Sequence, residues 1–212
     1  MTRALGLLIV LSACSTELAD PPAPPPASMR ELLEAPTRLQ VTAAESGGSI
    51  TAERKVGTAW KGGLVDLQIE NGELIVSSEA RDALTIDGMQ IVFKPLEIPP
   101  GVFGDTHAQM TDVRIDLIKE TTANAVWTSN NEAHVTAMLD IRLSWTLTLG
   151  GSPAPLGSPK LPPVPVEIVL AGDGEHITAD VRAHAPGELW TWAGLVKLSE
   201  LELSVGANFG AR

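Results

Sequence analysis

Tyrosine is absent and aromatic residues are scarce: five Trp and three Phe make up 4% of the 212 residues. That is too few for the paired aromatic girdles of a transmembrane β-barrel. One cysteine permits no intrachain disulfide and no cysteine-rich metal site. Basic residues are outnumbered, 15 Lys and Arg against 26 Asp and Glu, for a net charge of −11. Duplex binding needs clustered cations to displace counterions, so no nucleic-acid partner is expected. The same deficit argues against a polybasic membrane patch. No G-x-S-x-G, H-E-x-x-H, P-loop or dinucleotide-binding pattern occurs. The expectation is therefore a non-enzymatic protein with no cofactor.

Apolar residues reach 44%, enough for a packed core. The length suits one domain of ordinary size.

The N-terminus carries the clearest local signal. Met1-Thr2-Arg3 is a short positive start, followed by the apolar run Ala4 to Leu11. This is the n-region and h-region of a secretory signal. Eight residues are too short to span a bilayer, which takes about 20. The run ends in Leu11-Ser12-Ala13-Cys14, which resembles the lipobox of bacterial lipoproteins. The resemblance covers only these residues. It implies diacylglyceryl transfer to the Cys14 thiol, cleavage before Cys14 and acylation of the new amine. Two or more acyl chains anchor stably where one binds only marginally. Ser15, where an Asp would favour inner-membrane retention, implies sorting to the periplasmic face of the outer membrane or to the cell surface. The alternative is a plain secretory signal cut after Ser15, with Cys14 discarded.

From Ser15 to Ala27 five prolines favour extended polyproline II, reaching about 3.1 Å per residue. This reads as a stiff stalk or an ordinary linker. Ser28 with Glu31 forms a capping box, predicting a short helix over Met29 to Glu34 that stops before Pro36. The expected organisation is a signal peptide over 1–13, an acylated stalk with the short helix over 14–36, and one β-rich domain over 37–212.

Beyond residue 37 the apolar period is two. Every odd position from Val135 to Leu149 is apolar and nearly every even one polar, predicting one long half-buried strand. Two hairpins are expected. Asn71-Gly72, the preferred type I′ pair, sets Ile69 opposite Leu74 and Leu67 opposite Val76. Asp173-Gly174 sets Leu170 opposite Ile177 and Ile168 opposite Ala179. Leu84 and Ile86 alternate, then Met89, Ile91 and Phe93 take the other parity, so a bulge is expected at Gly88. Trp190, Trp192, Val196 and Leu198 give way to Leu201, Leu203 and Val205 in the other phase. Some eight to eleven strands predict an antiparallel β-sandwich or a curved, barrel-like sheet with long strands and one short N-terminal helix. Proline-rich connections over 95–101 and 150–165 read as crossovers or as binding loops.

Candidate chemistry is thin. His107, His134, His176 and His184 all fall in or beside strands or turns; His107 lies two residues after Asp105 on a loop, while His134 and His176 are isolated. Asp173 with Glu175, and Glu70 with Glu73, flank turns without the residue ladder of a calcium loop. Trp145, Trp190 and Trp192 fall on core faces. No metal site is expected and no ligand-binding residue can be named; the one assigned site is lipidation at Cys14. The function expected is a lipid-anchored envelope protein whose β body binds an apolar ligand such as lipid. The alternative is a structural lipoprotein with a solid core that docks to another envelope component.

Overall fold

The alternation that marks the strands also closes them into a ring. The computed structural model describes residues 27–104, 106–154, 162–184, 187–191 and 194–210. A four-residue helix, α1 (Met29–Leu32), comes first. The strands are β1 (Thr37–Val41), β2 (Gly47–Val56), β3 (Ala59–Ala80), β4 (Ala83–Phe93), β5 (Leu96–Ile98), β6 (Ala108–Leu117) and β7 (Thr121–Ser129). They continue with β8 (Glu132–Leu139), β9 (Ile141–Leu149), β10 (Ser152–Ala154), β11 (Val164–Gly172), β12 (His176–Ala183), β13 (Gly187–Thr191) and β14 (Gly194–Phe209). Eight of them form a closed antiparallel barrel in the order β3-β2-β14-β12-β11-β8-β7-β4, with β4 returning to β3. The remaining strands extend it.

The barrel is whole at one pole and divided at the other. Strands β6 and β7 run in line, as do β8 and β9, and the two lines form one long hairpin. Only its β7–β8 half lies in the ring. Beyond Leu139 and its partner Val164, β11 no longer follows, and β9 continues with β6 and β10 alone. Likewise β4 leaves β3 at the Ile69–Phe93 pair, while β3 continues back to Ala59 beside β2. The divided pole is thus two facing sheets, β13-β14-β2-β3 and β5-β6-β9-β10.

Strands β1 and β2 act as one strand interrupted by a 3-10 turn at Ala43–Glu45. Both lie between β3 and β14, Leu39 facing Leu74 and Phe209 near one pole and Arg54 facing Lys61 and Val196 near the other.

Several expectations need correction. Asn71-Gly72 is no turn: it lies inside the 22-residue β3, at a bulge between Ile69 and Asn71. A Cβ on Gly72 would meet Val41 Cγ2 at 3.0 Å and the Gln90 carbonyl at 2.9 Å, so glycine is there for close approach of β1 and β4. The second hairpin exists with its register displaced by two: Leu170 faces Ala179 and Gly172 faces Ile177. Asp173 causes this, its Oδ1 accepting from the backbone N–H of Glu175 and His176, both at 2.8 Å, which makes a longer Asx turn. A shift of two leaves the same face inward. The single strand over 135–149 is broken at Asp140, although burial on odd positions carries through.

The bulge expected at Gly88 is present: Ile75 pairs with Gly88 and Val76 with Ile86, leaving Asp87 over. The phase change before Leu201 has the same cause. Glu200 holds φ at 49° and the register on β2 slips between Ser199 and Glu202.

Candidate functional site

The inward residues of the ring surround an apolar lumen in two abutting compartments, each about 120 Å³. The first, at the closed pole, is walled by Leu74, Leu84, Val135, Leu139, Val166, Leu170 and Val205 among others. The second, between the facing sheets, is walled by Ile50, Val65, Leu67, Phe93, Met110, Leu143 and Trp145 among others. Ile115, Ile141, Leu201 and Leu203 border both and form a waist. The waist lies beside Asp140, where the β8–β9 line breaks; the Asp140 carbonyl accepts from the Ile118 N–H at 2.8 Å, and its carboxylate lies 3.7 Å from Lys119 Nζ.

Each end has a stopper. At the closed pole it is α1. Ser28 caps the helix through its side chain to the Glu31 N–H, and Glu31 returns the bond to the Ser28 N–H at 2.8 Å. This turns Met29 and Leu33 inward, both with no exposed surface, and Leu33 becomes part of the first compartment's wall. The helix is pinned from outside: the Met29 N–H donates to Asn131 Oδ1 at 2.9 Å, the Arg30 N–H to the Asn130 carbonyl, and the Ser78 N–H to the Leu33 carbonyl. Thus the helix grouped with the stalk by sequence is seated in the barrel. At the divided pole the stopper is the loop after β5. Two backbone bonds tie the loop: the Gly101 N–H donates to the Gly104 carbonyl at 2.8 Å and the Val102 N–H to the Pro99 carbonyl at 3.4 Å. Gly101 has φ +97°, which an L side chain rarely adopts. Val102 and Phe103 are buried and line the second compartment. Arg54 Nε donates to the Gly101 carbonyl at 3.2 Å and holds the loop down.

The residues singled out for chemistry do not assemble. Each histidine meets a glutamate instead: His107–Glu97 at 3.3 Å, His134–Glu132 at 3.7 Å, His176–Glu45 at 3.2 Å and His184–Glu200 at 3.3 Å. These pairs are spread over different strands. Asp173 is spent on its turn, and the Glu175 and His176 N–H groups hold its carboxyl below the ordinary value. Glu73 pairs with Arg38 at 3.2 Å. Among the described residues no group of three or more His, Cys, Asp or Glu could hold a metal ion. Asp105, Trp192 and Cys14 lie outside the described residues.

Trp145 is buried in the second compartment's wall, and its Nε1–H has no hydrogen-bond partner among the described residues. Among those residues no helix is long and apolar enough to cross a membrane. The stoppers escaped sequence reading, although Gly101-Val102-Phe103-Gly104, an apolar pair between glycines in a proline-rich loop, was a signal for one of them.

No known protein family matches this sequence, and no curated protein is detectably similar to it.

Proposed function

We propose that the protein is a lipid-anchored, non-enzymatic envelope protein that holds an apolar ligand, such as a lipid acyl chain, in the barrel lumen. The carrying observation is the pair of abutting compartments with walls that are almost wholly apolar. Each is slightly smaller than the roughly 150 Å³ engineered cavity that stays dry and takes up benzene. At about 24 cal/mol per Å³ of void, two empty compartments cost the fold on the order of 6 kcal/mol. That is comparable with the whole stability of a domain, about 5–15 kcal/mol. A bound chain recovers that loss, at about 0.8 kcal/mol per buried methylene. With so little polar surface inside, a headgroup stays outside.

The anchor rests on Leu11-Ser12-Ala13-Cys14 alone, and with it the assignment to the periplasmic face of the outer membrane or the cell surface. A second reading, a structural lipoprotein docking to another envelope component, has its own support: Val126, Met138 and Val169 are exposed on the outer face of β7, β8 and β11, and Val126 and Val169 both flank His134.

Native mass spectrometry of the protein purified from its own cells separates the two. A retained lipid mass is expected, lost in a Leu203→Trp variant that fills the waist. A bare mass, unchanged after incubation with fatty acid or phospholipid, would leave the structural reading.

A further inference from the structure

We propose that the tip of the β2–β3 hairpin docks the divided pole of the barrel onto an anionic lipid bilayer. Of the large apolar side chains exposed among the described residues, half fall within nine positions of this hairpin: Val56, Trp60 at 39% exposure and Leu64 at 65%. Cations gather at the same place. Residues 53–64 hold Arg54, Lys55 and Lys61 against the single acid Glu53, in a chain where acids outnumber bases. The overall charge of −11 therefore conceals a local reversal.

The register divides these groups between the two faces of the hairpin: Arg54, Val56 and Lys61 share the parity of the inward Ile50 and Val65, while Lys55, Trp60 and Leu64 lie on the outer side. Lys55 faces Trp60 across the ladder, so the ring and the ammonium share the outer face of the hairpin, and Thr51 faces Leu64 on that side. β14 begins at Gly194, two residues beyond its Val196–Arg54 pair, so the turn residues Gly57 and Thr58 lie past its start. Gly57, at φ +62° with open space about it, starts the turn. A two-residue turn by itself offers less area than a stable protein interface, which buries about 800 Å² per partner. A bilayer surface imposes no such requirement. Indole rings sit at headgroup level, and lysine stems lie along apolar surface while their ammonium groups reach phosphates. Three cations are fewer than a polybasic segment carries, so the contact is weak and reversible.

The tip also touches the stopper of the second compartment. Arg54 holds the Gly101 carbonyl at 3.2 Å, and a Cβ on Gly101 would lie 3.0 Å from Lys61 Cβ. A membrane drawing on Arg54 and Lys61 thus acts on the loop that seats Val102 and Phe103. The docking itself stands whether or not the lumen holds a ligand.

The test uses the full chain carrying Cys14→Ser, with phosphatidylcholine vesicles containing brominated lipid, with and without phosphatidylglycerol. The Trp60 signal is the difference between this chain and its Trp60→Phe version. Bromolipid is expected to quench it only on anionic vesicles and only at low salt. Lys55→Gln with Lys61→Gln should weaken the effect about 25-fold, near fivefold per cation, with the melting temperature unchanged. This readout does not depend on insertion of the apolar run Ala4 to Leu11, which all variants share. An unquenched Trp60, or quenching indifferent to both lysines, overturns the proposal. So does tip-dependent retention on immobilised polyglutamate without vesicle quenching, which would assign the tip to an acidic protein.

Discussion

The guanidinium of Arg30 lies 5.2 Å from the centroid of the Trp127 ring. That contact ties the outer side of α1 to β7, while Met29 and Leu33 fill the pole beneath. The two sides differ in weight. Arg30→Ala should cost about 0.5–1 kcal/mol, the usual worth of an exposed cation–π contact. Leu33→Ala should cost about 2–5 kcal/mol through the void it leaves. Denaturant melts of both variants check the ranking; a larger loss from Arg30→Ala would mean that the helix is held from outside and seals little.

Position 143 and position 146 test the two faces of β9. Leu143 lines the second compartment, and Thr146 is exposed. Leu143→Asp should cost several kcal/mol by burying a carboxylate, and Thr146→Asp about 0.5 kcal/mol or less. Thermal melts reporting equal losses would place both faces against protein.

Leu139 separates a filled core from a ligand cavity. It is buried in the wall of the first compartment. In a filled core Leu139→Ala costs about 2–5 kcal/mol. Beside an existing void we expect a loss at or below the lower bound in the ligand-free protein, with a larger loss once lipid is bound. Melts with and without a fatty acid measure both.

Gly48 tests the ring closure. A Cβ there would overlap the Glu202 carbonyl oxygen on β14, which is backbone and cannot turn aside. Gly48→Ala should destabilise by about 1–3 kcal/mol or more and raise hydrogen exchange along β2 and β14. Exchange unchanged at Leu203 and Ser204 would contradict it.

Acid should loosen both turns held by carboxylates. The Glu175 and His176 N–H groups hold Asp173 below its ordinary value of 3.8, and the Ser28 backbone N–H, then its side chain, holds Glu31 below 4.5. In both cases the folded pKa is the lower one. Their stabilisation is therefore complete above the ordinary value and is lost as pH falls through the folded one. Asp173→Asn keeps an acceptor oxygen but cannot titrate, so stability between neutral pH and pH 3 should fall less steeply than in the wild type. Melts across that range decide it, and parallel curves would remove Asp173 from the acid response.

Strand character was legible because a period of two survives any register. Ser28 with Glu31 fixed the helix start from local chemistry alone, and the parity change at Gly88 announced its bulge, while the change before Leu201 was visible without its cause. Other features depended on groups distant in sequence. Asn71-Gly72 favours a turn by itself, yet Val41 and the Gln90 carbonyl need the missing Cβ there, and no local pattern encodes that. The alternation through Val135 to Leu149 could not reveal that β11 departs at Leu139. The lumen was legible only as a consequence of one-sided strands; its stoppers required knowing that α1 folds back beneath Asn131 and that Phe103 points inward.

Leu39 meets Phe209, so the first described strand, β1, pairs with the last, β14. A ribosome delivers these residues far apart in time: at about 5–20 residues per second, roughly 10–30 s separate them. Val65, Leu67 and Val135 gain their ladder partners Ile50, Gly48, Ala125 and Ile168 within that interval, yet the ring stays open between β2 and β12 until β14 arrives. Removal of even the last dozen residues would take away every β14 partner of β12, together with the buried Leu203, Val205 and Ala207, and leave the ring open. A nascent chain arrested before β14 therefore presents the edges of β2 and β12 unpaired.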